Sequence, residues 1–147
     1  MKNAVTLRGM KLLSPPEEPV RQYWLKGDIG EITFTENSFL KQAQEFVGGY
    51  IEAVDLPSLE VTMWCHEESK LVAYPIKNLD ATDLYVAEYG NHDWIAGDVL
   101  FTNINTDKDG NTLGLTQAQK ERLLAKLIVL QASRADTGYF IPVLNQL

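Results

Sequence analysis

Cys65, His66, His92 and Asp93 are the residues with which this chain could hold a metal or make a bond. A structural zinc site takes four Cys or His ligands, whereas the chain has one cysteine and two histidines, so no metal site is expected. A thiol nucleophile needs a base within hydrogen-bond reach. Neighbours on a strand point to opposite faces, so His66 does not serve Cys65, and His92 reaches it only from the loop before Trp94. Cys65 therefore reads as a small core hydrophobe.

Asn105, Asp107, Asp109 and Gly110 imitate the first half of a calcium loop, with alternating oxygens and a glycine at the sharp turn. The twelfth position, which should supply a bidentate Glu, is Thr116, and that residue suits a helix cap. The loop reads as an Asp-Gly turn. Gly27-Asp28-Ile29-Gly30 and Gly48-Gly49 lack the spacing and the following Lys-Ser/Thr of a phosphate cradle. The pairs Glu17-Glu18 and Glu67-Glu68 fall in loops or turns, where adjacent acids are solvated charge. No catalytic residue, cofactor or metal is assigned.

The elements that must position these residues follow from periodicity. Ala4–Leu13 is an imperfectly alternating first strand, and three prolines within Ser14–Pro19 break regular structure after it. Val20–Leu25 and Glu31–Thr35 read as strands around the Lys26-Gly27-Asp28 turn, with Ile32 and Phe34 on one face. Phe39, Leu40, Ala43, Phe46 and Val47 make one helical stripe, capped by Asn37 or Ser38 and stopped by Gly48-Gly49. Tyr50–Val54 is extended and ends before Pro57. Leu59, Val61, Met63 and Cys65 then alternate with Glu60, Thr62, Trp64 and His66, and a Glu67-Glu68-Ser69 turn leads to Lys70–Ile76, which predicts an antiparallel hairpin with Cys65 on its apolar side.

Asp80–Tyr89 is a short helix or a single turn of one, closed by Gly90-Asn91, Trp94–Asn103 a strand, and Asn105–Asn111 a polar loop. Thr116-Gln117-Ala118-Gln119 is a capping box that opens the longest helix, Gln117 to about Gln131, with Leu123, Leu124, Leu127, Ile128 and Leu130 on its buried side. Tyr139–Leu144 is apolar enough to dock as an edge segment, with Pro142 limiting its ladder bonds. The expected fold is α+β, a mostly antiparallel sheet with one long C-terminal helix and one or two short helices packed on it. It forms a single domain over 1–147, with N-terminal strands in 1–35, a core in 36–131 and a docked tail in 132–147.

At 147 residues, 45% of them apolar and 22% charged, the chain can bury one core. Its net charge of −7 and the lack of any Lys/Arg cluster argue against duplex nucleic acid as a partner, although an acidic surface can mimic DNA toward a basic protein. A single cysteine suits a reducing compartment. The apolar run Leu127–Leu130 is far shorter than a membrane span, and Met1–Leu13 mixes Lys2, Arg8 and Lys11 into its apolar residues, unlike an export signal. No membrane partner is expected, and the chain reads as cytoplasmic.

A further pattern runs from about Phe39 to Leu124. It comprises Val47-Gly48-Gly49-Tyr50-Ile51-Glu52, Glu67–Leu71 leading to Pro75 and Asn78, Gly97-Asp98 before Val99-Leu100-Phe101, and Leu113-Gly114-Leu115-Thr116. On these residues the chain resembles a phage and mobile-element family catalogued as domain of unknown function 3846. The resemblance leaves out residues 1–35 and the tail, and Cys65-His66 stands where ordinary strand residues are expected. It implies a viral origin, and with it the host cytoplasm as the location, and a small accessory role; it carries over no catalytic residue.

The aromatics are the remaining signal. Several fall on strands that also carry Glu52, Thr62 or His66, and flat rings edged by polar groups suit a ligand pocket or protein-binding patch. Tyr50, Glu52, Trp64, His66 and Trp94 are assigned to such a surface, with Asn78 and Asp98 as further polar groups. The expected function is non-enzymatic binding by a phage accessory protein, in host takeover or counter-defence. Its target would be a host protein or a small signalling nucleotide. One alternative is a small hydrolase or transferase with a scattered site such as His92, Asp93 and Asp98. Another is a structural or replication-associated component that forms a homo-oligomer through its aromatic face.

Overall fold

A computed structural model describes residues 2–8, 29–71 and 77–136. Strands β1 (Lys2–Leu7), β2 (Ile29–Phe34), β3 (Ile51–Leu56), β4 (Val61–His66) and β5 (Val99–Asn103) form one antiparallel sheet in the order β2-β1-β5-β4-β3. Helices α1 (Phe39–Val47), α2 (Leu79–Tyr89) and α3 (Gln117–Asp136) complete an α+β fold.

Alternation along the strands builds two apolar faces, and both are covered. On one, Val5, Leu7, Val61, Met63, Cys65, Val99 and Phe101 meet Ala81 and Leu84 of α2 and Leu123 and Leu127 of α3. On the other, Ala4, Phe34 and Leu100 meet Phe39, Ala43 and Val47 of α1, with Trp64 packed alongside. The sheet is thus the middle of three layers. β4 accordingly leaves neither face to water, and beside Val61 even Thr62 is buried. Its hydroxyl is satisfied by Asp55 at 2.7 Å, and the Trp64 indole N–H donates to Thr102 Oγ1 at 2.9 Å on the same face.

Local signals set the helix ends. Gly48, at φ 90°, donates its N–H to the Gln44 carbonyl and closes α1. Asn78 caps α2 by accepting from the Ala81 amide at 3.1 Å. At α3 the capping box forms in both directions: the Gln119 amide donates to Thr116 Oγ1 at 3.1 Å and the Thr116 amide to Gln119 Oε1 at 2.8 Å. The same Gln119 side chain donates to the Glu60 carbonyl and to Asn103 Oδ1, which fixes the helix start to the ends of β4 and β5. Farther along, Gln131 Nε2 donates to the buried Asp80 carboxylate at 2.9 Å and joins α3 to α2.

Several expectations are corrected. The neighbours of β4 are β3 and β5, so its hairpin is made with the preceding strand; of the expected partner Lys70–Ile76, residues 72–76 lie outside the described residues. Leu40 and Ile128 are 58% and 64% exposed, since each sits at the margin of its stripe and the facing layer does not reach it. Ser38 takes the N-cap position of α1 but makes no side-chain cap bond; its hydroxyl accepts the Thr35 amide instead. β5 starts only at Val99, after Gly97 turns the chain at φ 77°, and Ala96 makes an isolated bridge to Lys77. β1 begins at Lys2, α3 continues to Asp136, and the strand placed at Val20–Leu25 and the tail segment Tyr139–Leu144 lie outside the described residues. Among the described residues no helix is long and apolar enough to cross a membrane.

The start of β1 is closed by the chain that enters α3. The Leu115 amide donates to the Asn3 carbonyl at 2.9 Å, and a Cβ at Gly114 would lie 2.6 Å from the Asn3 nitrogen. Gly114→Ala must therefore displace backbone, and we expect destabilisation of about 1–3 kcal/mol by urea unfolding. In the same assay Leu123→Ala, fully buried in the wild type, should cost about 2–5 kcal/mol, and Ile128→Ala should stay within about 0.5 kcal/mol of wild type.

Candidate functional site

A cleft of about 330 Å³ opens at the end of the sheet where β3 and β4 meet the connection between α2 and β5. Its floor follows from strand parity: Glu52 is paired with Cys65 and Val54 with Met63, so these side chains share the α2 side of the sheet. Tyr85 of α2 and Trp94 supply the walls, with Ile95 and Ala96 between them. The rim is the turn after β4, held by the Ser69 amide on the His66 carbonyl at 3.2 Å and the Leu71 amide on the Glu68 carbonyl at 2.9 Å.

Charge is unevenly distributed here. Among the described residues, Glu52, Glu67, Glu68 and Asp93 give four carboxylates against one ammonium, that of Lys70. Lys70 reaches across the rim to pair with Asp93, and its Nζ lies 4.8 Å from the centroid of the Trp94 ring. Asp93 is held below the usual carboxylate range, first by this bond from Lys70 and then by the Trp94 amide, which donates to Oδ1 at 2.8 Å. Cys65 behaves in the opposite way. Burial, and next the negative charge of Glu52, push its thiol up to about 12, with Lys70 opposing the rise. It is a protonated apolar floor at neutral pH and no nucleophile.

Of the residues assigned from sequence, the structure brings Glu52 and Trp94 together in this cleft. Trp64 lies on the opposite face of the sheet, edge-on to Phe39 at 5.4 Å. His66 also faces away, with Nδ1 accepting the Glu68 amide at 2.8 Å and its ring against Gly49. Tyr50 is 72% exposed before β3 begins. Asn78 is fully buried, and its amide bonds within the fold: Nδ2 donates to the Leu7 carbonyl at 3.3 Å and the Gly97 carbonyl at 2.9 Å. Asp98 pairs with Arg8 at 3.0 Å. Sequence reasoning gave Lys70 no role, weighed Asp93 only for metal or catalytic chemistry, and counted Tyr85 among the surplus aromatics without assigning it to the site; all three line the cleft. Parity puts Glu52 beside Cys65 only once the β3–β4 register is known, and nothing local announces that the loop carrying Asp93 folds over them.

Asp107, read as a calcium-loop mimic, is spent on its own turn. Its Oδ1 accepts the Asp109 and Asn111 amides, each at 2.9 Å, and the Asn111 bonds come first in holding its carboxyl below the usual range. Among the described residues no group of three or more His, Cys, Asp or Glu is placed to hold a metal ion.

A family model described as "Domain of unknown function (DUF3846)" matches residues 20–128. The chain belongs to this family. The matched span begins ahead of the Phe39 boundary suggested by motif, and it contains every residue of the cleft. No curated protein and no solved structure matches the chain.

Two measurements test the state of the floor. Iodoacetamide at pH 8 should leave Cys65 unmodified in the folded domain and alkylate it after denaturation, read by intact mass. The unfolded thiol ionises near 9.0 and the folded one near 12, so between these values the unfolded chain binds fewer protons. Stability should therefore fall as pH rises through that window, by about 1.4 kcal/mol per pH unit relative to Cys65→Ala. Asn78→Ala, which removes an N-cap and two buried donor bonds, should cost about 2–4 kcal/mol in urea unfolding.

Proposed function

We propose that this protein acts by binding, as a small accessory protein of phage, and that the cleft between the β3–β4 hairpin and the α2–β5 connection takes the ligand. The observation that carries the reading is the cleft's composition: a floor that is apolar apart from the Glu52 carboxylate, and two aromatic walls beneath a charged rim. Recognition sites are built in this way, with area from flat rings and orientation from a few polar groups. The thiol on the floor lies far from ionisation at neutral pH, which favours a surface that holds over one that reacts. The phage setting and a role in occupying a host factor rest on the family resemblance.

The rim also bears on the kind of target. Phosphates would enter against Glu52, Glu67 and Glu68, so the charge favours a group on a host protein over a free signalling nucleotide. With a net charge of −7, association with a basic partner should be steered at long range and slow as salt rises.

The test is recovery of the tagged protein from cells and mass spectrometry of everything that accompanies it. A ligand supplied at a hundred times its Kd should stabilise the fold by about 2.7 kcal/mol, a rise of several degrees in Tm. It should return unchanged after denaturation and lose its effect in Trp94→Ala. Conversion of the ligand, or a shift that Trp94→Ala leaves intact, overturns the reading.

A further inference from the structure

Lys70 shows what this cleft is built to hold. Its stem leaves the turn after β4, and its ammonium lies over the face of Trp94 at 4.8 Å while pairing with Asp93. An aromatic face and a carboxylate converging on one cation is the arrangement by which proteins recognise alkylammonium and guanidinium groups. The carboxylate is preorganised for this: the Trp94 amide donates to the same Asp93 oxygen that meets Lys70, which fixes the carboxyl beside the ring. The cation in place does not balance the site, since Glu52, Glu67 and Glu68 also line the cleft and, among the described residues, Lys70 is the only basic one in its lining.

Resting on the binding reading above, we infer that the cleft recognises a cationic head on an aliphatic stem, and that Lys70 is a resident stand-in which the ligand's cation displaces from Trp94 and Asp93. The stand-in is held weakly enough to leave. Its side chain is 35% exposed and that of Asp93 53%, and an ion pair so placed is screened by solvent. The lysine stem can swing into water without disturbing the turn, which is held by backbone bonds of Ser69 and Leu71. Lysine or arginine side chains of a partner protein and free polyamines both present this chemistry.

The experiment is calorimetric titration of the full chain at low salt with 1,5-diaminopentane, with Nα-acetyl-lysine amide, and with adenosine monophosphate as the anionic arm. Wild type should bind an amine weakly and the nucleotide not at all. Lys70→Met, which keeps the stem and removes the charge, should bind the amine about three- to thirtyfold more tightly, because the exposed cation–π contact and ion pair no longer compete. Trp94→Ala and Asp93→Asn should each lose amine binding, with thermal melts confirming that the variants are folded. A higher affinity for the diamine points to a polyamine ligand and a higher affinity for acetyl-lysine amide to a protein side chain; either order supports the inference.

Lys70→Met binding the amine no more tightly than wild type would show Lys70 to be a strut of the rim, and the inference falls. It falls equally if the nucleotide binds and the amines do not; the binding reading then stands with a different ligand, provided that Trp94→Ala abolishes it. If no accompanying molecule depends on Trp94, both fall.

Discussion

The buried amide of Asn78 ties together the parts on which the rest of the fold depends. Its Oδ1 starts α2 through the Ala81 amide, while Nδ2 donates to the Leu7 carbonyl at the end of β1 and to the Gly97 carbonyl before β5. Its own backbone N–H donates to the Ile95 carbonyl at 2.8 Å. One side chain therefore holds the first strand, the second helix and the entrance to the last strand in register. Thr82, one turn into α2, repeats the tie: its Oγ1 accepts the Ile95 amide at 2.9 Å. The Asp93–Ala96 wall of the cleft is positioned by these bonds, so the site inherits its geometry from a polar clamp in the core. Such a clamp stabilises only when every donor and acceptor finds its partner, as here.

This clamp explains what a sequence can and cannot disclose. Elements whose cause is local were legible. The stripe and glycine stop of α1 follow from residues within one helix, and the capping box of α3 from two residues three apart. Pairing is not local. Val5 lies opposite Phe101, and no pattern near either residue names the other. The turn after β4 gave the opposite impression, inviting a hairpin with the following segment, but β4 pairs with β3 along its length and with β5 from Val61 to Trp64. Leu40 and Ile128 failed for a related reason: a helical stripe says which residues are apolar, and the width of the facing layer decides how many of them are covered.

The same distinction governs the site. Tyr50, Trp64, His66, Asn78 and Asp98 were chosen for residue type, and type does not say on which face of the sheet a side chain lies. Parity does, once the register is known, and it sends Trp64 and His66 to the α1 side while Glu52 and Cys65 go to the α2 side. Lys70 and Asp93 are 23 residues apart in the chain and meet only because the α2–β5 connection folds back over the turn. Both belong to irregular segments carried by rigid neighbours, the usual placement for residues that recognise something outside the fold.

The family match makes one more demand on the fold. It starts at residue 20, so β1, at Lys2–Leu7, lies outside it. Yet β1 stands between β2 and β5, contributes Val5 and Leu7 to one core and Ala4 to the other, and is contacted by the segment that enters α3. Without it β2 would have no link to the rest of the sheet, and Asn78 would lose the Leu7 carbonyl. In this chain the matched segment is therefore not a self-sufficient folding unit. The strand that completes its sheet comes from outside it, and the clamp that sets the wall of the cleft reaches out to that strand.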